Sequence, residues 1–175
     1  SWAHSHMGRA LVAWYQATGD KRILDALVKA YANYPAAMNG LDCLCNMDAA
    51  FETYAFSGDR RVLDPILTAM RSPAKSEFQN TVRQWCEGQF VPVHAVYTNE
   101  FIRLPALVYP WTNEPRYLHA SLGAFAWLDR EHMLPYGVAS GEEFLSGIGA
   151  LRKTETCDVA ASIWSTLWMY RILGE

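Results

Sequence analysis

"YQATGDKRILDAL", residues 15–27, reads as the junction between two helices. One helix ends near Thr18, and Gly19 can adopt the left-handed backbone that closes it. Asp20 then accepts the free N–H groups of a second helix and meets the positive end of its dipole. Beyond the junction, Ile23, Leu24, Leu27 and Val28 fall at helical spacing and give that second helix one apolar face. The same device returns as "YAFSGDRRVLDPIL" (54–67), as "YPWTNEPRYLHASL" (109–122) and as "YRILGE" (170–175). In the third copy Asn113 stands for glycine, Glu114 follows at the cap, and Pro115 takes the first helical position, where a missing N–H costs nothing.

Each copy predicts a helix, a very short turn and another helix. Working outward, the apolar periodicity predicts seven helices, at roughly 5–18, 20–33, 46–57, 60–71, 94–111, 115–130 and 155–172. Ala49, Ala50, Thr53 and Tyr54 form the stripe of the third, and Pro105 and Pro110 are expected to kink or split the fifth. The segments between contain Gly, Pro and Ser and no convincing strand. The fold class is therefore all-α, and tandem helical hairpins favour a solenoid or a closed helical toroid over a bundle. The junction tyrosines, Tyr15, Tyr54, Tyr109 and Tyr170, stand 39, 55 and 61 residues apart, which argues against a uniform solenoid. The extra residues are read as two long loops, 72–93 and 131–154, and loops on a rigid scaffold are where sites concentrate.

Composition narrows the function classes. The chain has 175 residues, half of them hydrophobic (51%), with seven tryptophans and nine tyrosines, enough for one domain with a real core. A net charge of −3 without a Lys/Arg run gives no nucleic-acid footprint. No apolar run approaches the roughly 18 residues of a membrane span, and the first residues do not read as a signal peptide. Four cysteines, Cys43, Cys45, Cys86 and Cys157, are too few for a disulfide scaffold and are read as reduced thiols of a cytoplasmic protein. Cys86 is expected to be a small buried hydrophobe.

Candidate chemistry gathers late in the chain. The loop 131–154 holds glycines for tight turns and the pair Glu142–Glu143, and Glu155 and Cys157 follow in "KTETCDVAA" (153–161). Cleaving a glycosidic bond needs one group to protonate the leaving oxygen and another to attack or to activate water. A carboxylate near a second anion has a raised pKa, as a general acid requires. Glu155 and Cys157 stand where a helix begins, with Thr154 as its cap. Residues two apart on a regular helix face apart, but both can converge at its irregular start. The plain alternative is a capping glutamate beside a buried thiol. His94 opens an apolar helix in "VPVHAVYT", while His119 and His132 read as outward-facing helical residues.

The order of these motifs resembles the catalytic domain of glycoside hydrolase family 127, the β-L-arabinofuranosidase family, and its bacterial relatives. The family's Gly-Glu-Ala-Phe-like loop is matched by Gly141-Glu142-Glu143-Phe144, and its Glu-Thr-Cys by Glu155-Thr156-Cys157. Its Gly-His-Ala-Val motif, on a helix that leads into a Thr-Gly-Asp turn, is matched by Val93-His94-Ala95-Val96, where valine stands for the glycine, followed by Thr112-Asn113-Glu114. The resemblance covers essentially the whole chain. It implies an (α/α)6 toroid, a retaining glycosidase acting on terminal furanosides such as β-L-arabinofuranose, and a zinc-bound cysteine nucleophile. It implies Glu142, or Glu143, as the acid/base, His94 in the substrate pocket, and Glu155 and Cys157 as two zinc ligands, all on one rim. The family's nucleophile belongs to a downstream Cys-Cys pair that this sequence lacks. Residues 1–175 are thus expected to be part of one toroidal catalytic domain, truncated on both sides, whose partners are a carbohydrate substrate and the remainder of that domain. The alternatives are a non-catalytic helical-repeat module that binds carbohydrate or protein, and a metal-free toroidal glycosidase with two carboxylates.

Overall fold

The computed structural model describes residues 2–33, 45, 47–71, 77–91 and 94–174. Cys43, Asn46 and Val93 lie outside the described residues. The chain divides into two compact units, Ser1–Asn80 and Thr81–Glu175. The described residues are all-α apart from one two-residue antiparallel ladder and a few isolated β-bridges.

The first unit is built from two helical hairpins. The first consists of α1 (Trp2–Thr18) and α2 (Lys21–Ala32), the second of α3 (Met47–Ser57) and α4 (Arg60–Arg71). Both turns have the expected form: Gly19 and Gly58 each have φ 67, and each amide returns to the tyrosine carbonyl four residues back, at 2.8 Å. Asp20 accepts from the Arg22 amide at 3.0 Å, and Asp59 from the Arg61 amide at 3.0 Å. Each carboxylate also grips the guanidinium of that same arginine. The hairpins bury Leu27 and Tyr31 of α2, Ala49, Ala50 and Phe51 of α3, and Val62, Leu63, Ile66 and Met70 of α4. One buried charge ties them together: Asp48, on α3, pairs with Arg9 of α1 at 3.0 Å.

The region 72–93, read as a loop from the sequence, contains α5 (Glu77–Cys86), which enters the second unit at Thr81. The predicted helix 94–111 is two helices, α6 (Ala95–Phe101) and α7 (Leu104–Thr112). Pro105 has no N–H for the carbonyl of Phe101, so the helix parts there. Pro110 leaves α7 unbroken, contrary to expectation. At the break, the buried Arg103 pairs with Glu100 at 2.7 Å and donates to Ser165 Oγ at 3.0 Å. The Ala106 amide, freed at the start of α7, donates to Ser121 Oγ at 2.9 Å. Asn113 closes α7 at φ 54, and α8 (Pro115–His132) follows. Glu114 makes no side-chain capping bond and instead holds Arg116 at 2.9 Å. The ladder pairs β1 (Gly141–Glu142) with β2 (Phe144–Leu145), and α9 (Thr156–Leu173) ends at Gly174, φ 80. Ala95, Ile102, Ala124, Trp127, Leu128, Ala139 and Leu145 share one buried cluster. On the outside of α9, Ile163, Leu167 and Tyr170 remain exposed along one stripe.

Cys86 and His132 also depart from their sequence reading. Cys86 is exposed, its thiol donating to the Arg116 carbonyl at 3.3 Å. His132 is buried at 6% exposure and faces inward.

Candidate functional site

The β1–β2 hairpin fills the space between the N-termini of α6 and α9. Its first residue, Gly141, donates to the Lys153 carbonyl at 2.8 Å and pairs in parallel with Thr154, just before α9. Its turn residue, Glu143, accepts the Ala95 amide on its carbonyl at 2.8 Å, and Phe144 pairs with His94. Gly141 is required for space rather than for an unusual φ. A Cβ there would stand 2.4 Å from both Ala95 Cβ and Asp158 Oδ2. The hairpin is thereby wedged against α6 on one side and α9 on the other.

Glu142 and Glu143 diverge because they occupy consecutive positions at a tight turn. Glu142 is exposed and pairs with Lys153 at 2.9 Å. Glu143, at φ 66, places its carboxylate 3.1 Å from His94 Nε2. The His94 ring lies between Tyr97, at 4.8 Å, and Phe144, at 6.1 Å, and its Nδ1 is buried with no hydrogen-bond partner.

At the start of α9, Glu155 occupies the cap position without a side-chain capping bond, and Thr154 turns away to donate to the Ala139 carbonyl at 2.9 Å. Cys157 is exposed and donates to Glu155 Oε2 at 3.6 Å. Its thiol is pushed up, first by desolvation and then by the Glu155 carboxylate beside it, so at neutral pH it stays protonated.

Sequence reasoning missed Asp158. Its side chain is buried, and neither carboxylate oxygen has a hydrogen-bond partner of good geometry. Burial pushes this carboxyl up to about 6, and the Glu155 charge adds to the shift. The Glu155 backbone and the charge of His94 pull weakly the other way, which couples Asp158 electrostatically to His94. An Asp in the first turn of a helix is what the dipole favours anyway, so nothing local distinguishes it. Only the closure of Gly141 over it does.

The structure thus joins His94 to Glu143 and Glu155 to Cys157, couples Asp158 electrostatically to Glu155 and His94, and sets Glu142 aside on Lys153. For zinc, the 3.6 Å between Cys157 Sγ and Glu155 Oε2 matches the edge of about 3.5 Å expected of a tetrahedron with bonds of ~2.3 and ~2.1 Å. That is half a donor set, and among the described residues no three His, Cys, Asp or Glu side chains converge to hold a metal. The first unit has a separate cavity of about 530 Å³, lined by Leu24, Val28, Phe56 and Arg61 among others, which includes none of these residues. No described helix is long and apolar enough to cross a membrane. No family model, curated protein or solved structure matches the chain.

Proposed function

We propose that the chain is part of the catalytic domain of a glycoside hydrolase similar to the β-L-arabinofuranosidase family, built as an (α/α)6 toroid and acting on a terminal furanoside. The observation that supports this reading is the Glu143–His94 pair, 3.1 Å apart and flanked by Tyr97 and Phe144, on the hairpin that adjoins the Glu155–Cys157 helix start. A sugar presents hydroxyls and one apolar ring face. A carboxylate, an imidazole and exposed aromatic edges are the groups that bind both. Of the two hairpin carboxylates, Glu143 takes the acid/base role, because Glu142 is engaged by Lys153. His94 holds the Glu143 carboxyl in position through Nε2. Glu155 and Cys157 contribute two zinc donors, and the remaining donors, with the nucleophile, come from the remainder of the domain. The exposed stripe Ile163, Leu167 and Tyr170 on α9 is a surface against which that remainder would pack.

The test is NMR titration of the chain with methyl β-L-arabinofuranoside, following the His94 ring and the Glu143 and Phe144 amides. Perturbation at these three residues, lost in Glu143→Gln and retained in Glu142→Gln, is the expected result. Shifts that are absent, or equal with an unrelated pyranoside, overturn the furanosidase reading in favour of the non-catalytic binding module.

A further inference from the structure

His132 does something that neither its sequence position nor the proposed chemistry requires. It is the last residue of α8, and it grips both legs of the segment that carries the β1–β2 hairpin. On the entering leg, its carbonyl accepts the Ser140 amide at 2.9 Å. On the leaving leg, its ring Nδ1 accepts the Gly147 amide at 3.0 Å. Ser140 Oγ closes the loop across the legs, donating to the Gly147 carbonyl at 2.6 Å. Everything between Ser140 and Gly147, including Glu143 against His94, is therefore framed by one histidine.

We propose that His132 is a positioning residue whose neutral ring latches the hairpin against α6, and that a proton on Nδ1 releases it. The chemistry is a change of sign at one atom. Neutral, with its proton on Nε2, the ring presents a lone pair at Nδ1 to the Gly147 N–H. Protonated, the same atom becomes a donor facing a donor. The bond is lost, and a charge stands in a buried site beside the Trp127 ring, 5.0 Å away.

Its surroundings favour the neutral form. Burial holds the His132 pKa below its usual 6.5, and the adjacent Glu131 carboxylate on the same helix opposes that shift more weakly. Among the described residues, Glu131 is the charged group that acts on the ring. The hairpin segment contributes only Ser140 and Gly147, and Trp127 is uncharged. The folded chain therefore takes up this proton less readily than the unfolded chain. The latch is intact above about pH 6.5, weakens as pH falls below it, and is fully lost once pH passes below the lowered folded value.

The inference does not rest on the sugar reading, and its test needs no substrate. The intact chain is titrated from pH 8 to pH 4.5 by NMR, following the His132 ring nitrogens together with the protection of the Gly147 and Ala95 amides. The Ala95 amide bonds to Glu143 and so reports the docking of the hairpin. The expected result is a single midpoint below 6.5 shared by all three. Gly147 and Ala95 should each lose about tenfold in protection, the net worth of one hydrogen bond. In His132→Gln the step at that midpoint should vanish, and the wild-type titration decides the matter even where this variant does not fold. Loss at Gly147 with Ala95 unchanged makes His132 a local contact and overturns the latch, as does a His132 midpoint at or above 6.5.

Discussion

A methyl group on residue 141 would stand 2.4 Å from Ala95 Cβ and 2.4 Å from Asp158 Oδ2, against the 3.4–4 Å of ordinary contact. Gly141→Ala therefore forces a shift of about 1 Å on two sides at once. Neither side yields easily. Ala95 sits in the first turn of α6 within the buried cluster, and the Asp158 side chain has no solvent to swing into. The hairpin must move instead, stretching the 2.8 Å bond from Gly141 to the Lys153 carbonyl beyond useful length. Overpacking of this kind costs about 1–3 kcal/mol, and the lost hydrogen bond adds about 1. We expect a total loss near 3 kcal/mol. Urea unfolding followed by tryptophan fluorescence should show it as a midpoint lower by roughly 1.5 M at a slope near 2 kcal/mol per M. Two other glycines serve as controls. Gly149→Ala meets only the flexible Arg152 side chain, and Gly123→Ala meets Phe90 at 3.4 Å within a helix that gains propensity. Both should stay within about 1 kcal/mol of the parent. A loss under about 1 kcal/mol at Gly141 would mean that the hairpin is not wedged between the two helices, and the shared site would fall with it.

Arg103→Met deprives the buried Glu100 of its guanidinium, and thermal unfolding should register a loss of about 3–5 kcal/mol; an unchanged midpoint would refute the pair as a structural tie across the α6–α7 break. Asp158 has a folded pKa near 6 against an ordinary 3.8, so its carboxyl favours the fold at low pH, and that contribution is lost as pH rises through 6. Asp158→Asn should therefore raise the urea midpoint at pH 8 and give little or no gain at pH 4. Cys157 should be alkylated by iodoacetamide more slowly than a free thiol at pH 7.5, and Glu155→Gln should speed the reaction; a fast wild-type rate would show a thiolate where desolvation and Glu155 favour the thiol.

The junctions were legible because their chemistry is local. Gly19, Gly58 and Asn113 need only their own backbone conformation, and Asp20 and Asp59 need only the amides two residues ahead. Helix α5 was legible too but overlooked: Phe78, Val82 and Trp85 repeat at helical spacing inside a segment read as a loop. What could not be read was whatever depends on register or on a distant partner. Which of Glu142 and Glu143 faces His94 follows from the pairing of β1 with β2, and a shift of one residue would exchange them. His132 reads as an outward-facing helix end until Gly147 returns to its ring. Asp158 reads as an ordinary first-turn acid until Gly141 closes over it. The order of motifs suggested a shared site, and the hairpin is what links its parts.

Glu143 is also a conformational misfit. Its φ of 66 suits glycine or asparagine, and a glutamate there carries a steric cost of about 1–2 kcal/mol. The turn would be more comfortable without this side chain, so comfort and contact with His94 pull position 143 in opposite directions. Random variants selected only for resistance to heat should drift to Gly or Asn at 143. Variants selected for heat resistance and for the His94 contact together should keep an acid there and gain their stability elsewhere. The amino acid at one turn position would then report which pressure had acted on the lineage.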